Sequence, residues 1–266
     1  MQRIQFTKMH GAGNDFILVD DRDESFPVGD YMRLSQLASR RVGVGCEGII
    51  LVQNSDTADF RMRFFNPDGS EVELCGNGAR CVAAFARRLG VVKSDRMTFE
   101  TSAGTISAEI NSATMVTVTM PAPEDFSEDF VVAGVPHKIV PVDNLAKTDV
   151  VGEGRRIRLS AEFAPHGTNV DFVVYRQPNR VSIRTYERGV EDESGACGTG
   201  AVAAAVIGVK DYGLEFPVQV KTAQGYELIV NGEFDGEEFS SVTLAGPVKF
   251  VFDGCVDFDS LDTFNE

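Results

Sequence analysis

At 266 residues, with 43% hydrophobic and 24% charged residues, the chain has material for one large or two ordinary globular domains. Its net charge of −15 argues against nucleic acid and anionic membrane surfaces as partners, since both select basic patches. No run of eighteen apolar residues supports a membrane span, and MQRIQFTKMHG lacks the apolar core of a secretory signal, so a cytoplasmic location is expected.

The first elements alternate between short strands and glycine-rich turns. Ile4 to Met9 alternates as a strand, HGAG turns, and Phe16 to Val19 reads as a buried strand. Asp30 is placed to cap a helix over 31–41, with Met32, Leu34, Leu37 and Ala38 on its apolar face. GVGCEGIILV (43–52) is a turn feeding a buried strand, and Arg61 to Phe65 is a strand that breaks at NPDGS.

A central helix is expected over 77–89, buried nearly all round because its small residues fall on several faces, with Gly90 as its stop. Strands follow at 97–101, 105–110 and 115–120. PAPEDFSED (121–129), rich in proline and acids, is the expected linker.

The second half re-runs the first at offsets between 121 and 124. VPHKIVPVD (135–143) matches GNDFILVD, GTNVDFVVY (167–175) matches GVGCEGIIL, and VSIRTYERG (181–189) matches FRMRFFNPDG. SGACGTGAVAAAVIGV then repeats ELCGNGARCVAAFARR, with Cys75 and Cys197 separated by 122 positions (197 − 75). Further strands are expected at 217–222, 226–231 and 242–252, the last with a break at Gly246-Pro247. The fold expectation is α+β: two pseudo-symmetric halves, each a β-rich barrel-like sheet wrapped around a central helix. The halves are 1–120, on which a tail of 255–266 could pack, and 121–254.

Each half offers one thiol at a helix start. A helix N-terminus exposes unpaired N–H groups and the positive end of the helix dipole. A thiol there is expected to have a lowered pKa, and the N–H groups suit a carboxylate. Glycines at 76, 78, 198 and 200 let backbone approach a ligand closely. Two such thiols suit removal of a proton from one face of a carbon and delivery to the other, with aimed N–H donors stabilising the carbanion beside a carboxylate.

Other chemistries fit less well. Five cysteines show neither a disulfide framework nor a CxxC pair, and His10, His137 and His166 are scattered, so no metal site is expected. Cys46, Cys81 and Cys255 read as packed small residues. CGNGAR lacks the P-loop lysine and GAGNDF lacks the third glycine of a dinucleotide fingerprint. A thiol hydrolase leaves the second cysteine unexplained.

FTKMHGAGNDFILVD, FFNPDGSEVELCGNGARC, GTNVDFV and YERGVEDESGACGTGA together resemble the signature blocks of the diaminopimelate epimerase family, in the same order. The resemblance implies a cofactor-independent isomerase that interconverts LL- and meso-2,6-diaminopimelate on the route to lysine and peptidoglycan. It implies Cys75 and Cys197 as catalytic acid/bases, with His137 and Glu187 placed to tune them. It implies a substrate-binding set of Asn14, Asn66, Gly76, Asn77, Asn169, Glu187, Arg188, Gly198 and Thr199. The implied partner is a small-molecule substrate, diaminopimelate; a homodimer is an open option.

The chain departs from the family pattern in three places. Val135 stands in Gly-Val-Pro-His where asparagine is common, Gly48 stands where some members carry glutamine, and EDES (191–194) lengthens the turn before Cys197. Two other readings compete. One is a proline or hydroxyproline racemase of the same fold, which would carry a histidine at Asn77 and a Ser-Pro-Cys block before the second thiol. The other is an amino-acid-binding homologue without catalysis.

Overall fold

The computed structural model describes residues 2–72 and 75–261. Its chain divides into two compact units, one of residues 1–118 and 248–266, the other of residues 119–247.

The first unit contains β1 (Arg3–Gly11), β2 (Asn14–Asp20), α1 (Tyr31–Ala38), β3 (Gly48–Gln53), β4 (Phe60–Phe65), β5 (Glu71–Val72), α2 (Gly76–Leu89), β6 (Arg96–Thr101), β7 (Gly104–Ser112) and β8 (Met115–Thr119). Neighbouring strands pair β1–β2, β2–β3, β3–β4, β4–β6, β6–β7 and β7–β8. The returning chain from Val248 to Asp257 pairs antiparallel with β1, and the Val248 N–H donates to Thr114 O, completing a closed eight-stranded barrel. β2–β3 and β4–β6 are parallel; the other pairs in the ring with a stated direction are antiparallel.

The helix α2 packs against β1, β2, β3 and β7, and its first eleven residues are all buried. Its glycines and alanines let strands approach from several sides, and truncating the buried Phe85 to alanine would cost about 3–5 kcal/mol. Gly90 ends it in the left-handed conformation with φ 73°, which only glycine adopts without penalty. A second core cluster joins Leu34, Leu37 and Ala38 of α1 to Phe6, Ile17, Val19, Ile49 and Leu51. With helices on both faces, β3 is buried at every position, which explains its unbroken apolar run. Asp30 Oδ1 caps α1 from Arg33 N–H at 3.1 Å, but the helix stops at Ala38, three residues short of the sequence expectation.

The second unit repeats this plan. It contains β9 (Glu124–Ser127), β10 (Phe130–Val132), β11 (Pro136–Pro141), α3 (Val150–Arg158), β12 (Asn169–Arg176), β13 (Arg180–Glu187), β14 (Asp192–Ser194), α4 (Gly198–Tyr212), β15 (Val218–Lys221), β16 (Glu227–Phe234) and the start of β17 (Phe239–Asp257). The parallel pairs recur in place: β11–β12 answers β2–β3, and β13–β15 answers β4–β6. α4 is buried along most of its length and packs on β10, β11, β12, β13, β15 and β16. Gly213 closes it with φ 66°.

Three details differ from the sequence reading. The expected linker carries β9, whose Phe126 ring stacks on Phe239 at 5.4 Å. The strand at 242–252 does not break at Gly246-Pro247; it runs from 239 to 257 and changes partner there, from β16 to β1. α3 gave no sequence signal because two glycines dilute its pattern. Gly154 is required where the helix meets Tyr186, since a Cβ there would lie 2.4 Å from the tyrosine Cβ. No described helix is long and apolar enough to cross a membrane.

Candidate active site

Each unit places its cysteine as the N-cap of its central helix. Cys75 precedes α2 with extended φ/ψ of −131°/118°, and Cys197 precedes α4 with −96°/115°. Both side chains are half-buried, whereas Cys46 and Cys81 are fully buried. Cys255 is exposed, not packed, because it lies on the outward-facing end of β17.

In the second unit the thiol sits at the end of a hydrogen-bonded chain. Gly200 N–H donates to Cys197 Sγ at 3.3 Å, and the Thr199 hydroxyl lies 3.4 Å from the same sulfur. Thr199 Oγ1 is 3.0 Å from His137 Nε2, and His137 Nδ1 is 2.6 Å from Asp171 Oδ2. The other carboxylate oxygen of Asp171 accepts from the Thr185 hydroxyl at 2.6 Å. His137 and Asp171 are both fully buried, and β11 sets His137 directly opposite Asn169 in the parallel pair with β12. Gly200 makes room for this arrangement, since a Cβ there would lie 2.6 Å from Asp171 Oδ1.

The network fixes the tautomer. A carboxylate that already accepts a hydrogen bond from the Thr185 hydroxyl accepts a second from His137 Nδ1–H, which leaves Nε2 as an acceptor facing Thr199. The threonine hydroxyl then relays between nitrogen and sulfur. As a thiol Cys197 can donate to Thr199 Oγ1, whose own proton then faces Nε2; as a thiolate it can accept the Thr199 hydroxyl.

The electrostatics correct one expectation. Cys197 is held well above the ordinary thiol value, first by burial and then by the charges of Glu187 and Asp171, against smaller opposing effects of Thr199 and the Gly200 N–H. The helix start alone does not decide the protonation of this thiol. Glu187, at the end of β13, is itself raised, chiefly by burial.

Asn169 is 4% exposed and both ends of its carboxamide are engaged, Oδ1 by the Arg188 backbone N–H at 2.8 Å and Nδ2 beside His137 Nε2 at 3.4 Å. It therefore locks the histidine to the Glu187-Arg188 turn. One guanidinium nitrogen of Arg188 reaches His166 O at 3.5 Å. The lengthened EDES turn is ordered as β14, paired with the end of β13.

In the first unit, Asn14 opens β2 opposite Gly11, and a Cβ at Gly11 would lie 2.8 Å from Asn77 O. Asn14 and the start of α2 thus share one end of the unit. Asn14 Oδ1 is buried and has no hydrogen-bond partner among the described residues. Asn77 is 1% exposed, and its Oδ1 accepts from Arg80 Nη2 at 2.6 Å. Asn66 sits in the turn after β4, where its N–H donates to Ser70 O. Gly48 is a packing position, because a Cβ there would lie 2.2 Å from the Phe64 ring.

Asp171, Thr185 and Arg80 were not singled out from sequence. For Asp171 and Arg80 the signal was a charged residue inside an otherwise apolar run, NVDFVV and the alanine-rich helix; Thr185, in the polar VSIRTYERG, had none.

The sequence matches the family model described as diaminopimelate epimerase over residues 6–124 and 130–251. It is 39% identical to the diaminopimelate epimerase of Aquifex aeolicus, with 94% of this chain and 97% of that protein covered. It is equally identical to that of Flavobacterium psychrophilum, with 94% and 99% covered. The fold is similar to the Bacillus anthracis phenazine biosynthesis protein of the PhzF family (TM-score 0.73, 20% identity, 96% and 99% covered). It is also similar to a probable proline racemase from Agrobacterium radiobacter (TM-score 0.71, 17% identity, 98% and 94% covered). Together with a thiol capping the central helix of each unit, these matches establish that the chain belongs to the diaminopimelate epimerase family.

Proposed function

We propose that this protein epimerises LL- and meso-2,6-diaminopimelate in the cytoplasm, on the path to lysine and cell-wall precursors, with two thiols as its acid/bases and without a cofactor. The observation that carries the reading is the repeated N-cap cysteine, one per unit, in a chain matched across nearly its whole length by this family.

In the proposed step one cysteine, as thiolate, takes the proton from the α-carbon, and the C–H electron pair remains on that carbon, delocalised into its carboxylate. The other cysteine, as thiol, donates its proton to the opposite face. The product has inverted configuration, and thiol and thiolate have exchanged places. Backbone N–H groups of Gly76, Asn77, Gly198 and Thr199 at the helix starts favour the charge that builds on the carboxylate oxygens. Exchange of the proton at Cys197 is supported by the Thr199–His137–Asp171 chain, which satisfies either state of the sulfur. The unpartnered Asn14 Oδ1 supports a role in receiving the substrate ammonium group.

The test is solvent exchange. Freshly reduced protein in deuterium oxide, with no added cofactor, should place deuterium at the α-carbon of LL-diaminopimelate and convert it to the meso form. No exchange would overturn the reading, and exchange confined to proline or hydroxyproline would assign the chain to a racemase of the same fold.

A further inference from the structure

Glu191, the first residue of the lengthened EDES stretch, holds φ 59°, a left-handed conformation that favours glycine. Its N–H donates to Glu187 O at 2.8 Å and closes a turn over residues 187–191. Its carboxylate gathers three donors. Oε1 accepts from Arg158 Nε at 2.7 Å and from the Gly189 N–H at 3.1 Å, and Oε2 accepts from the Tyr186 hydroxyl at 3.1 Å. A helix, a strand and the turn itself thus converge on a side chain that glycine would not supply.

Arg158 is the last residue of α3, and its side chain is 17% exposed. It shares a helix face with Gly154, four residues earlier, the position that seats α3 on Tyr186. Its guanidinium also packs on Gly167, where φ is 69° and a Cβ would lie 2.0 Å from Arg158 Nη1. Gly167 belongs to the loop that leads into Asn169 and β12, and Arg188 Nη1 reaches the same loop at His166 O. Arg158 therefore stands between the loop that delivers Asn169 and the turn that carries Glu187 and Arg188. The docking of one on the other is read at a single bond, from the Arg188 N–H to Asn169 Oδ1 at 2.8 Å. Glu191 is 40% exposed, and an ion pair so open to solvent adds little stability, so its weight lies in geometry.

We propose that Arg158, acting through Glu191, is a positioning residue: it locks the 187–191 turn against Asn169 and so sets the Glu187 carboxylate and the Arg188 side chain for the substrate. The hydrogen bonds around Cys197 run through Thr199, Gly200 and His137 instead, so loss of the clamp weakens binding and spares the chemical step. What the turn does for a substrate rests on the proposed function; how the turn is held does not.

The experiment compares wild type with Arg158→Met, Glu191→Gly, the double variant and Asp192→Asn, in two readouts. One is the kinetics of α-proton exchange in LL-diaminopimelate; the other is amide hydrogen exchange at Arg188 without substrate. Arg158→Met and Glu191→Gly should each raise KM about tenfold and keep kcat within about threefold of wild type. The double variant should be no worse than either single one, because both changes cut the same link. The Arg188 amide should exchange roughly tenfold faster in all three. A residue that only shaped the turn would predict an unchanged KM in Glu191→Gly, since glycine suits that backbone. Asp192→Asn removes an exposed charge from the same turn outside the clamp, and should leave both readouts at wild type. An unmoved KM or Arg188 amide in a folded clamp variant overturns the proposal, as do multiplied losses in the double variant or an equal effect of Asp192→Asn. Should Arg158→Met fail to fold, Glu191→Gly decides. If wild type exchanges no α-proton, the proposed function falls, and the Arg188 amide decides the clamp by itself.

Discussion

His137 Nδ1 and Asp171 Oδ2 are 2.6 Å apart with both side chains fully excluded from solvent. A contact this short between a buried imidazole and a buried carboxyl does two things at once. It orients the ring, and it commits the Nδ1 proton, so that the other nitrogen is free to exchange protons through Thr199. Asp171 is held in turn by Thr185 of β13, so one hydrogen-bonded chain runs from that strand to the sulfur.

Asp171→Asn keeps the shape and one acceptor oxygen but presents an amide that cannot fix the same tautomer. The proton path to Cys197 should fail, lowering the exchange rate by roughly 10²- to 10⁴-fold. Deuterium incorporation into LL-diaminopimelate measures this, with circular dichroism confirming the fold. A folded variant at wild-type speed would remove the pair from the path.

Thr199 is the joint between imidazole and thiol. Its hydroxyl favours the Cys197 thiolate, so Thr199→Val should move the pH midpoint of Cys197 alkylation upward, while Thr199→Ser should leave it nearly unchanged. Equal midpoints in the valine and serine variants would show that the hydroxyl carries no such weight.

Glu187 offers a pH test with a definite sign. Its carboxyl is held above the ordinary glutamate value of 4.5, mainly by burial, so the folded state binds its proton more tightly than the unfolded chain does. The stability this contributes is full below pH 4.5 and is lost as pH rises through the folded value. Glu187→Gln should therefore gain stability relative to wild type between pH 4.5 and 7, read from urea unfolding at both. The same substitution removes one of the charges raising Cys197, so the midpoint of Cys197 alkylation should fall. A relative stability that falls toward neutral pH would refute the sign.

Cys75→Ala and Cys197→Ala should each abolish interconversion of the LL and meso forms. A two-thiol mechanism needs one donor and one acceptor on opposite faces, so neither variant should retain measurable epimerisation. Full activity in either one would rule out that mechanism. Chiral chromatography of the product is the measurement.

Much of this was legible in the sequence because the duplication doubles every signal. Cys75 and Cys197 stand out as a pair, and the helices they cap are marked by glycine before and alanine after. The two central helices and most strands lie within a few residues of where periodicity put them. α3 was hidden because Gly152 and Gly154 answer to Asp149 and Tyr186, neighbours that exist only after folding. Asp171 and Arg80 were hidden for a related reason. A single charge in an apolar run can belong to a turn, a mis-set register or a buried pair, and only its partners tell which. The lowered thiol pKa expected at a helix start failed at Cys197 because burial and carboxylates arriving from β12 and β13 outweigh the local helix effect.

The long strand β17 gives the two units different histories during synthesis. The second unit, residues 119–247, is continuous and can close as soon as its own strands have emerged. The first cannot, because the edge of β1 that does not pair with β2 is covered only by residues 248–257. At ribosomal rates of roughly 5–20 residues per second, β1 waits on the order of ten seconds as an unpaired edge open to the wrong neighbour. The unit translated first is thus completed last, and a chain stopped at residue 247 would release an intact second unit beside a barrel missing its final strand.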